Sequence, residues 1–439
     1  MLMKVLFVHQ NMPGQFKHLA PALAADGHEV VFLTKPRRPS MPGVRKVEYE
    51  LHRQAGTPPH RYFDRFEDQI LHGQAITRAS LKLQSGGFSP DVICAHTGWG
   101  EAMFLKDVFP KARLLAFNEF FYRSHGTDTD FVNKKPDMDR DCRTRVRNAH
   151  MLLSMAAADW GYVPTYWQWS THPKAFRESM TVVHDGIDTD ACVREPDAFI
   201  DLADGRRLTA KDEVVTYVAR NLEPYRGFDV VAGALERILQ ARPNAHILIT
   251  GGEEISYGTG PGYADSWKDA LIPHRKLDAS RLHFLGRLPY GEFGRMQSIS
   301  SAHIYLTYPF VLSWSMLEAM AKECLVVASD TAPVREVIRH GKNGLLVDYG
   351  NPDLLADAVI DALAKGKKLN PVRKAARETV VERYDLKRVC LPIQKDIVER
   401  LGRGEKPEPT STIPSDIAEA MGWNATKTSD LALWSELGA

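Results

Sequence analysis

The chain has 439 residues, of which 44% are apolar and 25% are charged. These values are typical of soluble globular proteins and exclude a disordered or fibrous chain, and the length predicts two domains. The 56 basic and 55 acidic residues nearly cancel, which excludes a global positive field that would attract nucleic acid or anionic lipid. Five cysteines without a C-x-x-C pair disfavour a zinc site or a disulfide framework and favour a reducing cytoplasm.

The first predicted elements alternate between strand and helix. A strand at 4–8 leads through a turn-prone segment into a helix that begins near Leu19, and a second strand covers 29–33. Another unit of this kind starts with a strand at 91–94 and ends with a strand at 113–117. Repeated βαβ units indicate a parallel sheet covered by helices. No run of about 18 apolar residues predicts a membrane span.

The same architecture restarts in the second half. The sequence at 197–211 is polar and aperiodic, which predicts a domain boundary. A strand at 214–218 and an amphipathic helix at 230–239 follow, and further strands and helices continue to about residue 382. We therefore predict two Rossmann-like domains and a linker-like tail, with limits at 1–200, 201–403 and 404–439.

Two arginines occupy the loop after the first strand of the second domain. Arg220 and Arg226 lie between strand and helix, where the amides and dipole of a helix N-terminus favour a phosphate. Guanidinium groups add bidentate donors for phosphate oxygens. The pattern predicts a diphosphate site, and exposed arginines without a ligand are the alternative.

A second strand–loop–helix junction follows the predicted strand at 304–307. The backbone amides of Ser313, Trp314 and Ser315 are expected to point at a phosphate. Glu318, one turn into the helix, offers a carboxylate to ribose hydroxyls. The spacing from Ser315 to Glu318 is equally that of a capping box, which satisfies free helix amides instead.

Several segments together resemble glycosyltransferase family 4, from about Met3 to Pro392. Their order and spacing make the match specific, whereas each segment alone is weak: Asp185-Gly186-Ile187-Asp188-Thr189, the loop from Arg220 to Gly227, Phe284-Leu285-Gly286, Leu317-Glu318-Ala319-Met320-Ala321 and Gly344-Leu345-Leu346-Val347. The resemblance implies an α/β GT-B fold, in which two Rossmann-like doubly wound domains face each other across a cleft. The first domain is then the acceptor side, and the second binds the nucleotide-sugar donor.

The resemblance also implies roles for individual residues. Arg220 and Arg226 would hold the donor diphosphate, and Glu318 the ribose of the nucleotide. Gly14 resembles the glycine that lets the backbone approach the donor phosphate. His96 resembles a histidine at the donor sugar and acceptor, and it forms the predicted catalytic set with the two arginines. Ser313, Trp314, Ser315 and Glu318 join Gly14 as the predicted donor-binding set.

Three positions depart from the family pattern. Arg226 stands where lysine is usual, which keeps the charge but changes the geometry of donor contacts. Phe310 replaces the first of two glutamates, the one that normally contacts the donor sugar. Ser313 stands where glycine is common, although its backbone amide is still expected to donate.

The implied reaction is metal-independent transfer of a sugar, with retained configuration, from a UDP or GDP sugar to a hydroxyl of a bacterial cell-surface glycan or glycolipid. It would take place in the cytoplasm or at the periphery of the inner membrane. Neither cofactor nor metal is expected, and the Asp-x-Asp pairs at 128–130, 137–141 and 188–190 are interpreted as charged loop residues. Acceptor contacts are expected from the loops at 99–101, 118–119 and 162–169, although these loops could equally serve packing.

Other classes fit less well. An oxidoreductase or an ATPase would need G-x-G-x-x-G after the first strand or G-x-x-x-x-G-K-[ST], and neither motif is present. A sugar-nucleotide epimerase of similar fold stays open. So does a non-catalytic nucleotide-sugar-binding protein, because Phe310 removes an expected sugar contact.

Overall fold

The computed structural model describes residues 2–63 and 65–423, so the part of the predicted tail at 424–439 lies outside the described residues. The chain divides into two compact units. The first extends to Gly186 and includes 386–418, and the second consists of 187–385 with 419–422.

Fifteen strands are present in the described residues. In chain order they are β1 Lys4–Val8, β2 Glu29–Thr34, β3 Val44–Glu48, β4 Val92–His96, β5 Arg113–Phe117, β6 Trp160–Val163, β7 Met180–Val182, β8 Phe199–Asp201, β9 Arg207–Thr209, β10 Glu213–Asn221, β11 Ala245–Gly252, β12 Leu282–Gly286, β13 Ala302–Tyr305, β14 Val326–Ser329 and β15 Leu345–Val347.

The α-helices of the described residues are α1 Leu19–Ala25, α2 Phe66–Ser85, α3 Leu105–Val108, α4 Met138–Arg147, α5 Ala149–Ala157, α6 Tyr166–Thr171, α7 Lys174–Arg177, α8 Phe228–Ala241, α9 Trp267–Leu271, α10 Tyr290–Ile299, α11 Trp314–Ala321, α12 Ala332–Arg335, α13 Pro352–Lys365, α14 Asn370–Tyr384, α15 Leu391–Gly402 and α16 Ser415–Met421. None of them is long and apolar enough to cross a membrane.

The first unit is built on a parallel sheet with strand order β3-β2-β1-β4-β5-β6-β7. Val5 of β1 is paired with Val30 on one side and with Val92 on the other. Apolar side chains cover both faces of this sheet, Phe7 and Phe32 on one and Leu6 on the other. The strand order reverses between β1 and β4, and ligands of open α/β sheets bind at the carboxyl ends of strands at such a point.

The second unit repeats this plan with a parallel sheet in the order β12-β11-β10-β13-β14-β15. Its switch point lies between β10 and β13, which pair directly through Val215 and Ala302. Arg220, near the end of β10, and Ser313, in the loop after β13, therefore lie at the same edge of this sheet; the sequence placed Arg220 in the loop after the strand, but the strand extends to Asn221. Two Rossmann-like parallel sheets confirm the predicted fold class.

The limits of the units differ from the predicted ones. α15 belongs to the first unit, because Ile397, Val398 and Leu401 pack into the core of the first sheet beside Val5. An amphipathic pattern shows that a helix has an apolar face but not which sheet that face covers. The polar segment at 197–211 forms an antiparallel β8–β9 hairpin inside the second unit.

The described part of the predicted tail bonds to an edge strand of the first sheet. The Thr410 amide donates to the Met180 carbonyl over 2.8 Å, and the Val182 amide donates to Thr410 Oγ1 over 2.8 Å. Ile413 packs against the cluster formed by Phe121 and Met151. The segment thus satisfies polar groups of β7 that an edge strand leaves unpaired.

Candidate functional site

The loop after β10 turns sharply into α8. A short 3₁₀ turn, Pro224–Arg226, ends at Gly227, whose φ is +76°. A side chain at Gly227 would collide with Leu306, so both the conformation and the space require glycine. The end of β10 places Arg220, and this turn places Arg226, at the carboxyl edge of the second sheet.

The two arginines differ in their exposure. Arg220 is exposed, and within the described part of the chain its guanidinium has no ion-pair partner. Arg226 is 7% exposed, and its Nη1 donates to Thr307 Oγ1 over 2.8 Å and to the Val311 carbonyl over 3.0 Å. Arg220 is therefore the accessible cation, whereas Arg226 also holds the loop after β13.

Aromatic rings surround Arg226. The guanidinium carbon lies 5.1 Å from the ring centre of Tyr257 and 5.9 Å from that of Phe310, within reach of cation–π attraction. The Phe310 ring meets Tyr257 at 5.2 Å and Tyr225 at 5.3 Å, edge to face. Phe310 thus fills the position of the family glutamate with an apolar ring.

A buried carboxylate fixes the loop that contains Tyr257. Glu223 is fully buried and accepts hydrogen bonds from the amides of Ser256, Tyr257 and Gly258 at 3.3, 3.2 and 3.0 Å. Sequence reasoning missed this contact, because Glu223 reads as an ordinary charged loop residue beside Pro224. Its separation of more than 30 residues from its partners leaves no local signal.

Two of the three amides expected to face a phosphate are used inside the protein. The Ser313 amide donates to the Tyr305 hydroxyl over 2.8 Å, and the Ser315 amide donates to Ser313 Oγ over 3.3 Å. The Tyr305 hydroxyl comes from β13, so no local pattern reveals it. Phosphate binding by Ser313, Trp314 and Ser315 stays a prediction, and it would require the first and last of these amides to change partners.

The structure shows that Ser315 and Glu318 do not form a capping box at the start of α11. α11 begins at Trp314 with Ser313 as its N-cap, so Ser315 already lies inside the helix. Glu318 is not the third residue after this N-cap, as a capping box requires, and its Oε1 accepts a hydrogen bond from the Tyr290 hydroxyl over 2.7 Å. Glu318 therefore presents a carboxylate at the side of α10, consistent with a role in binding a hydroxyl group.

We expect Glu318→Gln to weaken donor binding about tenfold, because hydroxyl donors bind a carboxylate more strongly than an amide by roughly 1.5 kcal/mol. The amide oxygen can still accept from Tyr290, so the melting temperature should stay near that of the wild type. Isothermal titration with a UDP sugar and a GDP sugar measures the effect. Tyr290→Phe is the matched control that keeps the carboxylate, and equal affinity of Glu318→Gln and wild type would contradict the ribose role.

In the first unit, the side chain of His9 limits the space around Gly14. Gly14 has φ +51°, and a Cβ there would lie 2.7 Å from His9 Nε2. Burial, and then the neighbouring His96, lower the pKa of His9 well below its ordinary value, so this ring is neutral. The glycine thus makes room for a histidine, and its approach to a donor phosphate stays a prediction.

His96 is the last residue of β4 and is 1% exposed. Its Nδ1 accepts from the Gly98 amide over 2.9 Å, which leaves the proton of a neutral ring on Nε2. Nε2 lies 3.6 Å from Glu119 Oε2, and it makes no hydrogen bond within the described residues. His96 is thus buried, and its contact with a donor sugar and acceptor stays a prediction.

Glu101, in one of the predicted acceptor loops, is buried and supports the end of β1. Its carboxyl group accepts from the Gln10 amide over 3.1 Å and from the Tyr49 hydroxyl. The Tyr49 hydroxyl also lies 3.2 Å from His72 Nδ1. Burial raises the pKa of Glu101 to about 7. This residue fixes the loop before Gly14 from below and does not face an acceptor.

The pKa of Glu101 predicts a pH dependence of stability. Because its folded pKa of about 7 exceeds the ordinary 4.5, the folded state binds more protons between these values. The free energy of unfolding should therefore fall as the pH rises through this range, by up to about 3 kcal/mol. Glu101→Gln cannot ionise and should match the wild type near about pH 5 but be more stable near about pH 8. Urea unfolding at both pH values tests this, and an unchanged slope in the variant would argue against it.

The acidic pairs of the sequence serve local structure. Asp137 caps α4 through the Arg140 amide at 3.0 Å, and Asp188 Oδ1 accepts from the amides of Asp190 and Ala191. Asp130 accepts from the Gly126 amide. Among the described residues, no three His, Cys, Asp or Glu side chains form a group that could hold a metal ion.

Two family models match the chain. "Glycosyl transferase family 4 group" covers residues 26–192, and "Glycosyl transferases group 1" covers residues 202–379. The chain belongs to the family 4 glycosyltransferases. Gly14 and His96 lie in the first unit and the other candidate residues in the second, and the predicted family is confirmed.

Curated relatives include the phosphatidyl-myo-inositol mannosyltransferase of Mycobacterium tuberculosis, 30% identical over 200 residues that cover 44% of this chain and 49% of the relative. The chain thus spans about half the length of that relative. The GDP-mannose-dependent alpha-(1-6)-phosphatidylinositol monomannoside mannosyltransferase of the same species is 25% identical, over 73% of this chain and 83% of the relative.

Solved structures share the fold of this family 4 member. Sucrose-phosphate synthase from Thermosynechococcus elongatus superimposes with a TM-score of 0.68 at 18% identity, over 92% of this chain and all of that one. Anabaena HepE in complex with UDP and glucose gives 0.62 at 15% identity, over 90% of this chain and 100% of that one.

Proposed function

We propose that the protein is a retaining glycosyltransferase that moves a sugar from a UDP or GDP sugar to a hydroxyl acceptor without a metal ion. One observation supports this most directly: an exposed arginine without an ion-pair partner among the described residues, Arg220, lies at the switch point of the second sheet. Negative charge grows on the diphosphate as the bond to the sugar breaks. A guanidinium at that place stabilises this charge, as a divalent cation would.

The neighbouring groups give the site its polarity. Arg226 adds a second positive charge behind Arg220, held in place by Thr307 and Val311. Glu318 supplies a hydrogen-bond acceptor from α11, the helix that follows the loop after β13. Cations for a diphosphate and a carboxylate for a ribose match the two polar ends of a nucleoside diphosphate.

The names of the relatives indicate which donor and which acceptor to test first. Two of them are named as mannosyltransferases that act on phosphatidylinositol lipids, and one is named as GDP-mannose-dependent. We propose GDP-mannose as the first donor to test and a glycolipid of the cell envelope as the acceptor. This places the protein in the cytoplasm, attached peripherally to the inner membrane.

The deciding experiment measures release of nucleoside diphosphate from GDP-mannose and UDP-glucose, with and without phosphatidylinositol vesicles as acceptor and with EDTA present throughout. Release that depends on the vesicles, and a lipid product with an α-linkage by NMR, is expected. Turnover abolished by EDTA would contradict metal independence. Conversion of the donor without any acceptor would indicate an epimerase.

One observation favours a second candidate, a nucleotide-sugar-binding protein without turnover. Phe310 packs into the aromatic rings around Arg226, so the usual carboxylate is missing at this position. Donor binding in a thermal-shift assay, without transfer to any acceptor in the release assay, would select this alternative.

A further inference from the structure

Three basic residues follow β2 at the carboxyl edge of the first sheet: Lys35, Arg37 and Arg38. β2 ends at Thr34 and pairs with β1, so their loop lies beside the loop that leads from β1 to Gly14. Among the described residues, none of the three cations forms an ion pair. Three cations without a carboxylate partner, beside the switch point of a parallel sheet, favour an anionic ligand.

Hydrogen bonds hold the backbone of this loop in one conformation. The Gln10 carbonyl accepts from the Lys35 amide over 3.4 Å and from Arg38 Nε over 3.2 Å. Lys46 Nζ donates to the Arg38 carbonyl over 2.9 Å. Arg37 has φ +62°, a conformation that residues other than glycine rarely adopt and that surrounding contacts have to stabilise. The cations are thus placed by a built loop.

The Arg38 side chain presents free donors at its outer end. Its Nε is used by Gln10, and its Nη2 donates to Asn11 Oδ1 over 2.8 Å. Its Nη1 makes no hydrogen bond within the part of the chain that the structure describes. Two bonds therefore orient the guanidinium before a ligand binds, which lowers the entropy cost of binding. A planar guanidinium oriented in this way suits the oxygens of a phosphate.

Lys35 and Arg38 lie near the same buried pair, Glu101 and Tyr49. Burial raises the pKa of both groups, and the positive charges oppose this rise, Lys35 at Glu101 and Arg38 at Tyr49. Because Glu101 and Tyr49 are hydrogen bonded to each other, the two cations lie close together. The Glu101 carboxyl group is fully buried and is used by the Gln10 amide and the Tyr49 hydroxyl. It therefore leaves both cations without a carboxylate partner.

We propose that Lys35, Arg37 and Arg38 bind a phosphate group of the acceptor. The inference rests on the transferase function proposed above and adds that the acceptor contains a phosphate. Arg38 donates to the phosphate oxygens, and Lys35 and Arg37 add positive charge that a neutral sugar does not require. A lipid headgroup and free phosphate present the same oxygens to this site.

Titration of the full chain with soluble ligands tests the site. Isothermal titration should detect binding of glycerophosphoinositol, the water-soluble headgroup of phosphatidylinositol, and no binding of myo-inositol, which lacks the phosphate. Lys35→Gln and Arg38→Gln should each weaken binding at least about tenfold, because each removes a charged donor from the phosphate. The Lys35 ammonium makes no hydrogen bond within the described residues, so Lys35→Gln should keep the wild-type melting temperature.

Sedimentation with vesicles distinguishes the two sources of phosphate. Phosphatidylcholine vesicles with added phosphatidylinositol should sediment more of the wild type than phosphatidylcholine vesicles alone, and Lys35→Gln should lose this difference. Titration of the wild type with inorganic phosphate is the second arm. Binding of inorganic phosphate without any preference for phosphatidylinositol would overturn the acceptor role.

Arg78→Gln and Lys82→Gln are the matched controls. Both residues are exposed on α2 of the same unit and form no ion pair within the described residues, so these variants should keep wild-type affinity. Wild-type affinity in Lys35→Gln and Arg38→Gln, or an equal loss in the controls, would overturn the phosphate site and leave the transferase function intact. Phosphate binding without transfer to any acceptor would overturn the transferase function, and with it the acceptor role, but not the phosphate site.

Discussion

Arg220→Ala is expected to lower turnover by about 10²–10³-fold, or roughly 3–4 kcal/mol of transition-state stabilisation. Its guanidinium is exposed and has no ion-pair partner among the described residues, so the fold should not depend on it. The free energy of unfolding should change by less than about 0.5 kcal/mol. Nucleoside diphosphate release and urea unfolding measure the two quantities.

The matched control for Arg220→Ala is Arg237→Ala. Arg237 is a partly exposed arginine of α8 that pairs with Asp357, and such surface pairs contribute little to stability. It should keep wild-type turnover. Arg220→Ala with turnover within about threefold of the wild type would show that this arginine is a solvated surface residue.

Arg226→Ala is expected to lower both stability and turnover. Its removal leaves the Thr307 hydroxyl and the Val311 carbonyl without their donor, and each such loss costs about 1–3 kcal/mol. The loop after β13 should therefore loosen. A fall of about 3 kcal/mol in the free energy of unfolding is expected, together with weaker donor binding.

Arg226→Lys separates these two effects. Thr307 and Val311 are both bound by a single nitrogen, Nη1, so one ammonium group can replace these contacts. We expect the lysine variant to recover most of the lost stability, whereas its lack of a second nitrogen lowers turnover if Arg226 also binds the diphosphate. A lysine variant with full turnover would restrict Arg226 to a structural role.

The sequence revealed the sheets because their strands are continuous apolar runs. β1 and β5 have the predicted limits, and the repeated strand–helix order identified two Rossmann-like folds. The loop with Ser313 was also placed correctly at a sheet edge, since a loop after a parallel strand always opens there, whereas Arg220 belongs to β10 itself because that strand is longer than predicted. Local pattern is enough for these features.

Contacts between distant residues required the structure. The place of α15 in the first unit and the Glu223 carboxylate under the Tyr257 loop each join segments that are separate in sequence. The burial of His96 is of the same kind, because β4 could have presented its last side chain to solvent. The order of residues along the chain does not reveal which separate segments will contact each other.

The sequence by itself thus determined the family, the repeated fold and the residue types at the donor edge, because periodicity and motif spacing are local properties. Only the tertiary structure decided which of those residues are accessible. It exposes Arg220 and buries Arg226 and His96, and it places the N-cap of α11 at Ser313 rather than at Ser315. Accessibility and hydrogen-bond partners depend on packing between distant segments, and packing is fixed only when the chain folds.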